Sequence, residues 1–179
     1  MIQTLRLALI PCELELFDAI LSDEAKLSSL LKIKLAADWL GFPAAQAAMR
    51  PAYEHLKSHP EILEWWTYLF IHKPDRTLIG LGGFKGPVNE SGIVELGYAI
   101  APAYRRQGLA TEATRGMIAY AFSYPEIKAV EARTLPTENA STGVLEKAGM
   151  KLVDTVLDQQ DGYVWRWRVT RKMTKVVTA

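Results

Sequence analysis

The sequence predicts an α/β fold of the α+β kind, built on a mixed, mostly antiparallel sheet. Three observations carry this. Apolar runs of strand length recur along the chain, separated by helical stretches. Three of these runs follow one another with only turns between them, which is the pattern of an antiparallel meander. The last strand of that meander reaches the next strand through a helix, and a helical crossover joins parallel strands.

The elements follow in chain order. "TLRLALI" alternates and reads as the opening strand, with Arg6 set between apolar neighbours. Residues 13–58 read as largely helical, from "ELELFDAILSDEAKLSSLLK" to "AAQAAMRPAYEHLKSH", and stop at Pro60. "EWWTYLFIH", the turn "KPDR" and "TLIGLGGFKG" form a hairpin. "GIVELGYAI" adds a third strand through the loop "GPVNESG". After Gly108, "LATEATRGMIAYAF" carries Ala113, Met117, Tyr120 and Ala121 on one helical face, and Pro125 ends it. "KAVEARTL" is a strand, "ENASTGVLEKAG" a short helix, and "MKLVDTVL" with "GYVWRWRVTRK" a closing hairpin.

Bulk properties narrow the function. A chain of 179 residues without internal repeat or linker suits a single domain over 1–179. Hydrophobic content of 49% and charged content of 23% are those of a globular chain. A net charge of +1 provides no field for a polyanion, so no nucleic-acid partner is expected. Cys12 is the sole cysteine, which leaves no internal disulfide and no Cys-rich metal site; no metal is expected. "MIQTLRLALIPCELELF" is broken by Arg6, Pro11 and acids, unlike a signal peptide, and no apolar run reaches membrane-spanning length. A soluble, cytoplasmic protein without a membrane partner is the expectation.

The stretch "YAIAPAYRRQGLATEA" carries the chemistry. A strand leads into a helix through Arg105, Arg106, Gln107 and Gly108. The first N–H groups of a helix lack partners and its N-terminus is electropositive. Glycine lets the backbone approach a ligand, and guanidinium groups suit phosphate oxygens. Arg105-x-x-Gly108-x-Ala110 therefore describes a diphosphate seat. The competing reading is a solvated basic turn, and the pattern alone does not separate the two.

Context does. The following strand leads into "TLPTENASTGVLEKAGM". Together, and in this order, the two stretches resemble the GNAT superfamily of acetyl-CoA-dependent N-acetyltransferases. The phrasing is most similar to the branch that includes ribosomal-protein N-terminal acetyltransferases. The resemblance runs from about residue 64 to 170, is weak at "TLRLALI", and scarcely touches residues 11–60.

The resemblance implies a GNAT-like three-layer fold in which the strand before the motif carries a bulge and splays from its parallel neighbour at the cofactor site. It implies acetyl-CoA as cosubstrate, its pyrophosphate held by the turn Arg105, Arg106, Gln107, Gly108, Leu109 and Ala110. Backbone groups from Tyr98 to Ile100 would pair with the pantetheine arm and polarise the thioester carbonyl. Asn139 would contact the cofactor arm or a water, and Ser141 would sit near the sulfur. Helix capping is the competing reading for Asn139 and Ser141. Glu95 is the candidate base for the attacking amine, against the reading of a solvated or cross-strand-paired strand glutamate. Two departures stand out. Leu145 occupies the position where many members carry a tyrosine that protonates the thiolate, and Gly143 stands where relatives of this branch often carry arginine.

Other patterns carry less. "GLGGFKG" puts Lys85 where a dinucleotide loop needs its third glycine, so its glycines read as strand glycines. His55 and His59 have helical spacing but Leu56 stands at the zincin glutamate position, which reads as a solvated helix end. Trp65, Trp66, Tyr68 and Phe70 read as sheet core, as do Trp165 and Trp167. Two functions remain. One is an N-acetyltransferase acting on a protein N-terminus or small-molecule amine, with Glu95, Ser141 and Asn139 catalytic. The other is an acyl-CoA-binding sensor or interaction module that has lost catalysis. The acceptor and the oligomeric state are left open, a homodimer among the options.

Overall fold

The computed structural model describes residues 1–159 and 161–171. The strands are β1 (Ile2–Gln3), β2 (Leu7–Pro11), β3 (Lys34–Leu35), β4 (Thr67–His72), β5 (Thr77–Phe84), β6 (Ile93–Ile100), β7 (Ala129–Thr134), β8 (Lys151–Asp158) and β9 (Gly162–Thr170). The helices are α1 (Leu14–Ser22), α2 (Glu24–Leu31), α3 (Pro43–Ser58), α4 (Leu109–Ala121) and α5 (Ala140–Lys147). Among the described residues they form one nine-stranded sheet in the order β1-β2-β4-β5-β6-β7-β9-β8, with β3 beside β5. The long ladders are antiparallel except β6–β7, which is parallel as the helical crossover predicts.

Strand alternation builds three layers. On β4, Tyr68 and Phe70 point into a core shared with Leu96, Leu109, Met117 and Leu145, beneath α4 and α5. Leu69 points the other way, into a core with Phe17, Leu27, Met49 and Leu56 beneath α1–α3. The aromatic run thus does belong to the sheet core. Trp65 packs edge-on against Phe84 and Tyr124, and Trp66 stacks on His55 and donates to the Ala52 carbonyl.

The "GLGGFKG" glycines are a packing device. Gly83 has φ of 138°, and a Cβ there would lie 1.9 Å from the Trp66 carbonyl oxygen. β5 therefore fits between β4 and β6 only with glycine at this point.

Residues 13–58 are largely helical, as the sequence predicts, in the three helices α1, α2 and α3. Asp23 caps α2 by accepting the Ala25 N–H, Lys32 ends it in the left-handed region, and residues 34–35 pair with β5. Lys32, Asp38 and Gly41 all have positive φ, so residues 32–42 turn rather than coil. Two expectations are corrected: "TLRLALI" begins in a turn, where Thr4 N–H bonds the Leu7 carbonyl, and its strand starts at Leu7. The expected bulge in β6 is absent as well: the β5–β6 register is unbroken, and the irregularity of this region lies between β4 and β5 at Phe70/Ile71. The closing strand ends at Thr170, and Lys172 of the predicted run lies outside the described residues.

Gly83→Ala is expected to destabilise the protein by about 2 kcal/mol or more, since it adds a carbonyl clash to an unfavourable φ. Urea unfolding checks this, and an unchanged midpoint would refute the packing role.

Candidate active site

The site is built where β6 leaves β7. Their parallel ladder covers only Ile93–Glu95 against Ala129–Glu131, although β6 runs on to Ile100 and β7 to Thr134. Beyond Glu95, β6 stays paired with β5 and β7 with β9, so a wedge opens between them. Lys85 N–H bonds the Glu95 carbonyl and Ala101 N–H the Ile79 carbonyl, so odd-numbered residues of β6 face β5. By alternation the even-numbered groups face β7: the Leu96 N–H completes the last rung at Glu131, and the Leu96 carbonyl and the N–H and C=O groups of Tyr98 and Ile100 face the wedge. The Ile100 carbonyl is occupied there by Arg105 Nε at 2.9 Å.

The loop after β6 turns twice through the left-handed region, with Arg106 at φ 60° and Gly108 at φ 77°. Such turns aim successive N–H groups into one concavity, here at the N-terminus of α4. A Cβ on Gly108 would meet only Arg6 Nη2 at 3.6 Å, so the approach to the backbone is open. The two arginines divide their tasks. Arg105 donates from Nε to the Ile100 carbonyl and from Nη2 to the Gly41 carbonyl, tying the loop to β6 and to the turn after α2. Arg106 is exposed and its side chain has no hydrogen bond or ion pair among the described residues. Gln107 spends its amide on the Ala103 carbonyl. Leu109 is buried and Ala110 half-buried at the start of α4.

A carboxylate stands in the first turn of this helix, where an incoming anion would be repelled, and the fold neutralises it. Glu112 accepts from Thr4 Oγ1 at 2.6 Å, from the Arg6 N–H at 2.6 Å and from Arg6 Nε at 2.7 Å. Arg6 Nη1 also donates to the Gln107 carbonyl. Burial pushes the Glu112 carboxyl up, but the bonds from Thr4 and Arg6 and the Arg6 charge outweigh it and hold the group below its ordinary value. Thr4, Arg6 and Glu112 were not singled out from the motif. The available signal was a lone arginine inside the apolar opening strand.

Across the wedge lies the N-terminus of α5. Asn139 caps it, its Oδ1 accepting from the Ser141 and Thr142 N–H groups and its Nδ2 donating to the Thr137 carbonyl. Both ends of that side chain are therefore in use, as the capping reading requires. Ser141 is different: its hydroxyl lies 3.0 Å from the Tyr98 hydroxyl, which reaches over from β6. Burial pushes the Tyr98 phenol up to about 12, against a lowering hydrogen bond from Ser141. Leu145 is buried in the core one turn further along, and the space beyond Gly143 is open.

Glu95 lies on the opposite face of β6. Its Oε2 is 3.2 Å from Arg133 Nε, and Arg133 Nη1 continues to Asp158 at 2.6 Å. Its Oε1 is shielded from solvent, 2.5 Å from Lys85 Nζ but not aligned for a hydrogen bond, so the attraction there is one of charge. Two residues along, nothing lies within 4 Å of where a Gly97 Cβ would be, so the same face is open beside the wedge. The histidines take no part: His55 and His59 are exposed, and His59 pairs with Glu61. Among the described residues no group of three or more His, Cys, Asp or Glu is placed to hold a metal. No helix there is long and apolar enough to cross a membrane. Trp165 and Trp167 line a separate cavity of about 350 Å³ between α5 and the closing hairpin.

Residues 6–151 match the family model described as an acetyltransferase (GNAT) domain. An uncharacterized N-acetyltransferase of Bacillus subtilis strain 168, YjdG, is 30% identical over 86 residues, 48% of this chain and 51% of that protein. The match thus spans about half the length of that relative. A putative ribosomal-protein-serine acetyltransferase from Vibrio cholerae superposes with a TM-score of 0.68 at 17% identity, covering 95% of this chain and 97% of that one. RimL, a ribosomal-protein alpha-N-protein acetyltransferase solved with coenzyme A, gives 0.66 at 13% identity over 93% and 95%. At these identities the solved structures establish the fold.

Because the folded value of Glu112 lies below its unfolded one, its stabilisation is fully present above the unfolded pKa of about 4.3 and is lost as pH falls through the folded value. Glu112→Gln is expected to cost about 1–3 kcal/mol at pH 7, with the deficit shrinking towards pH 3. Urea unfolding across that range checks it, and a pH-independent deficit would contradict the ion-pair assignment.

Proposed function

Since the chain belongs to the GNAT acetyltransferase family, we propose that it transfers the acetyl group of acetyl-CoA to a primary amine, by direct attack in a ternary complex. The observation that carries this reading is the wedge beside Leu96–Ile100, opening next to a doubly left-handed loop at a helix N-terminus. One feature suits a thioester and its arm, the other a diphosphate. In this reading the N–H groups from Arg106 to Ala110 and the free Arg106 guanidinium hold the pyrophosphate, the Arg105 N–H being spent on the Pro102 carbonyl. The Leu96 carbonyl, the main-chain groups of Tyr98 and the Ile100 N–H take the pantetheine and the carbonyl oxygen.

The amine nitrogen forms its bond to the thioester carbon, and charge gathers on the carbonyl oxygen, where fixed N–H donors stabilise it. The C–S bond then breaks and the electron pair leaves on sulfur. A thiol of pKa about 8.5 leaves readily as the anion, so a hydrogen bond from the Ser141 hydroxyl suffices and water supplies the proton. The amine must arrive neutral and lose one proton afterwards. Glu95 is the residue proposed from sequence for that task, but Lys85 and Arg133 already engage its carboxylate. We favour release to solvent at the open Gly97 face, with Glu95 holding β6 and β7 together through charge. Asn139 acts by capping α5 and so placing Ser141.

The acceptor is proposed at the class level: a free protein N-terminus, as the RimL-like neighbours suggest, or a small amine. The sensor reading rests on Leu145, whose burial leaves no tyrosine at that point.

Thiol release from acetyl-CoA with a serine-initiated peptide, a polyamine and an aminoglycoside separates the two readings. Turnover with any of them supports the transferase. Tight acetyl-CoA binding with no thiol release above the hydrolytic background supports the sensor. Gly108→Asp is expected to weaken acetyl-CoA binding roughly a hundredfold in calorimetry, because a carboxylate there opposes the diphosphate, while aspartate tolerates the left-handed backbone. Unchanged affinity in the folded variant would overturn the cofactor seat. Glu95→Gln is expected to leave the shape of the pH–rate profile unchanged, and loss of its acidic limb would restore Glu95 as the base.

A further inference from the structure

The side chain of Tyr98 has no task in the scheme above, yet it makes the polar bridge from β6 to the helix that carries Ser141. Its ring is half-buried against the core beneath α4 and α5, and its hydroxyl reaches Ser141 Oγ at 3.0 Å and the Ser141 carbonyl at 3.2 Å. The rest of Ser141 is already fixed, since its N–H is held by Asn139 Oδ1 at 2.8 Å. What remains free is the rotation of one hydroxyl, and Tyr98 is the group in contact with it.

We propose that Tyr98 is a positioning residue for Ser141, its hydroxyl donating to Ser141 Oγ so that the serine proton is turned into the wedge between β6 and β7. The inference rests on reading Ser141 as the hydrogen-bond partner of the departing thiolate. The phenol has one proton and two acceptors within reach. Given to the carbonyl, it would leave the serine to donate back to the phenol oxygen, and nothing would face the sulfur. Given to Oγ, the nearer acceptor, it fills that lone pair and leaves the serine proton free. The phenol is a donor rather than a source of protons. At about 12 it stays protonated across the working range and is a weaker acid than the thiol at about 8.5. No proton leaves Tyr98: the C–S bond breaks, sulfur keeps the pair, the Ser141 O–H bonds to it, and water completes the thiol. Leu145, one turn along α5, has only methyl groups to offer, so the hydroxyl that helps the leaving group is held from the strand side.

Tyr98→Phe keeps the ring and removes only the hydroxyl. With acetyl-CoA and the best acceptor of the amine panel, or by hydrolytic thiol release where none is taken, it is expected to lower kcat roughly tenfold. KM for acetyl-CoA and the melting temperature are expected to stay near those of the parent. Ser141→Ala should do the same, and the double variant should be no slower than Ser141→Ala alone, because the two act through one hydrogen bond. Ser141→Thr, which restores a hydroxyl, should recover most of the rate, and adding Tyr98→Phe to it should remove the gain. Where Tyr98→Phe unfolds, Tyr98→Met, which fills the same core space without a hydroxyl, carries the test with the same expected loss of kcat and the same parental outcome against it. Parental kcat in Tyr98→Phe with Ser141→Ala slow overturns the role of Tyr98 and leaves that of Ser141 standing. Parental kcat in both overturns the reading of Ser141 and this inference with it. Effects that multiply in the double variant would show Tyr98 acting independently of Ser141, which also overturns it.

Discussion

Everything at the proposed site depends on β6 and β7 being unable to stay paired beyond Glu95. Each is committed on its other edge, β6 to β5 through Ile100 and β7 to β9 through Thr134. The twist of each half carries it away from the other. Where the two strands still touch, Glu95 and Glu131 are register partners, so two carboxylates lie side by side on one face. Like charges at adjacent positions destabilise a ladder unless each is compensated. Here Lys85 and Arg133 compensate the first and Arg168 the second. The parallel pair is thus held by charge at its last rung and released immediately after it, which leaves the Leu96 carbonyl and the main-chain groups of Tyr98 without a strand partner on that side. In a protein interior such groups are costly unless something pairs with them. A ligand with an extended amide arm is the natural partner.

The same logic of compensation governs the loop. A helix N-terminus attracts anions, but Glu112 in its first turn works against that attraction. The turn between β1 and β2 answers with Arg6 and Thr4, and Arg6 continues to the Gln107 carbonyl. Strands from the far edge of the sheet therefore brace the loop from outside. Arg105 braces it from within, through the Ile100 and Gly41 carbonyls. What is left for a ligand is backbone and one free arginine, an arrangement that binds an anion without first having to break an ion pair.

The order of elements, the parallel pair and the loop were legible because each is written in contiguous residues: apolar runs, a helical crossover, and a glycine after two arginines. The 32–42 segment was not, since its turns come from positive φ at Lys32 and Asp38, residues with no such signature. Nor was the partition of Arg105 and Arg106 between bracing and exposure, which depends on where the Gly41 carbonyl happens to lie. Glu95 and Asn139 were candidates from sequence, yet their neighbours, Lys85 and Arg133 for one and the Thr137 carbonyl for the other, are what occupy their polar atoms. Tyr98 was read for its main chain, and only the fold brings its hydroxyl to a serine 43 positions away. Contacts of that range are set by packing and leave no local pattern.

The account's central claim is that the wedge and the loop together form one binding groove. Amide hydrogen exchange with and without acetyl-CoA tests this most directly. Slowed exchange is predicted at Arg106–Ala110 and at Tyr98 and Ile100 together, with the β8–β9 hairpin unchanged. Protection confined to the hairpin and the cavity beside Trp165, or none at the loop and β6, would contradict it.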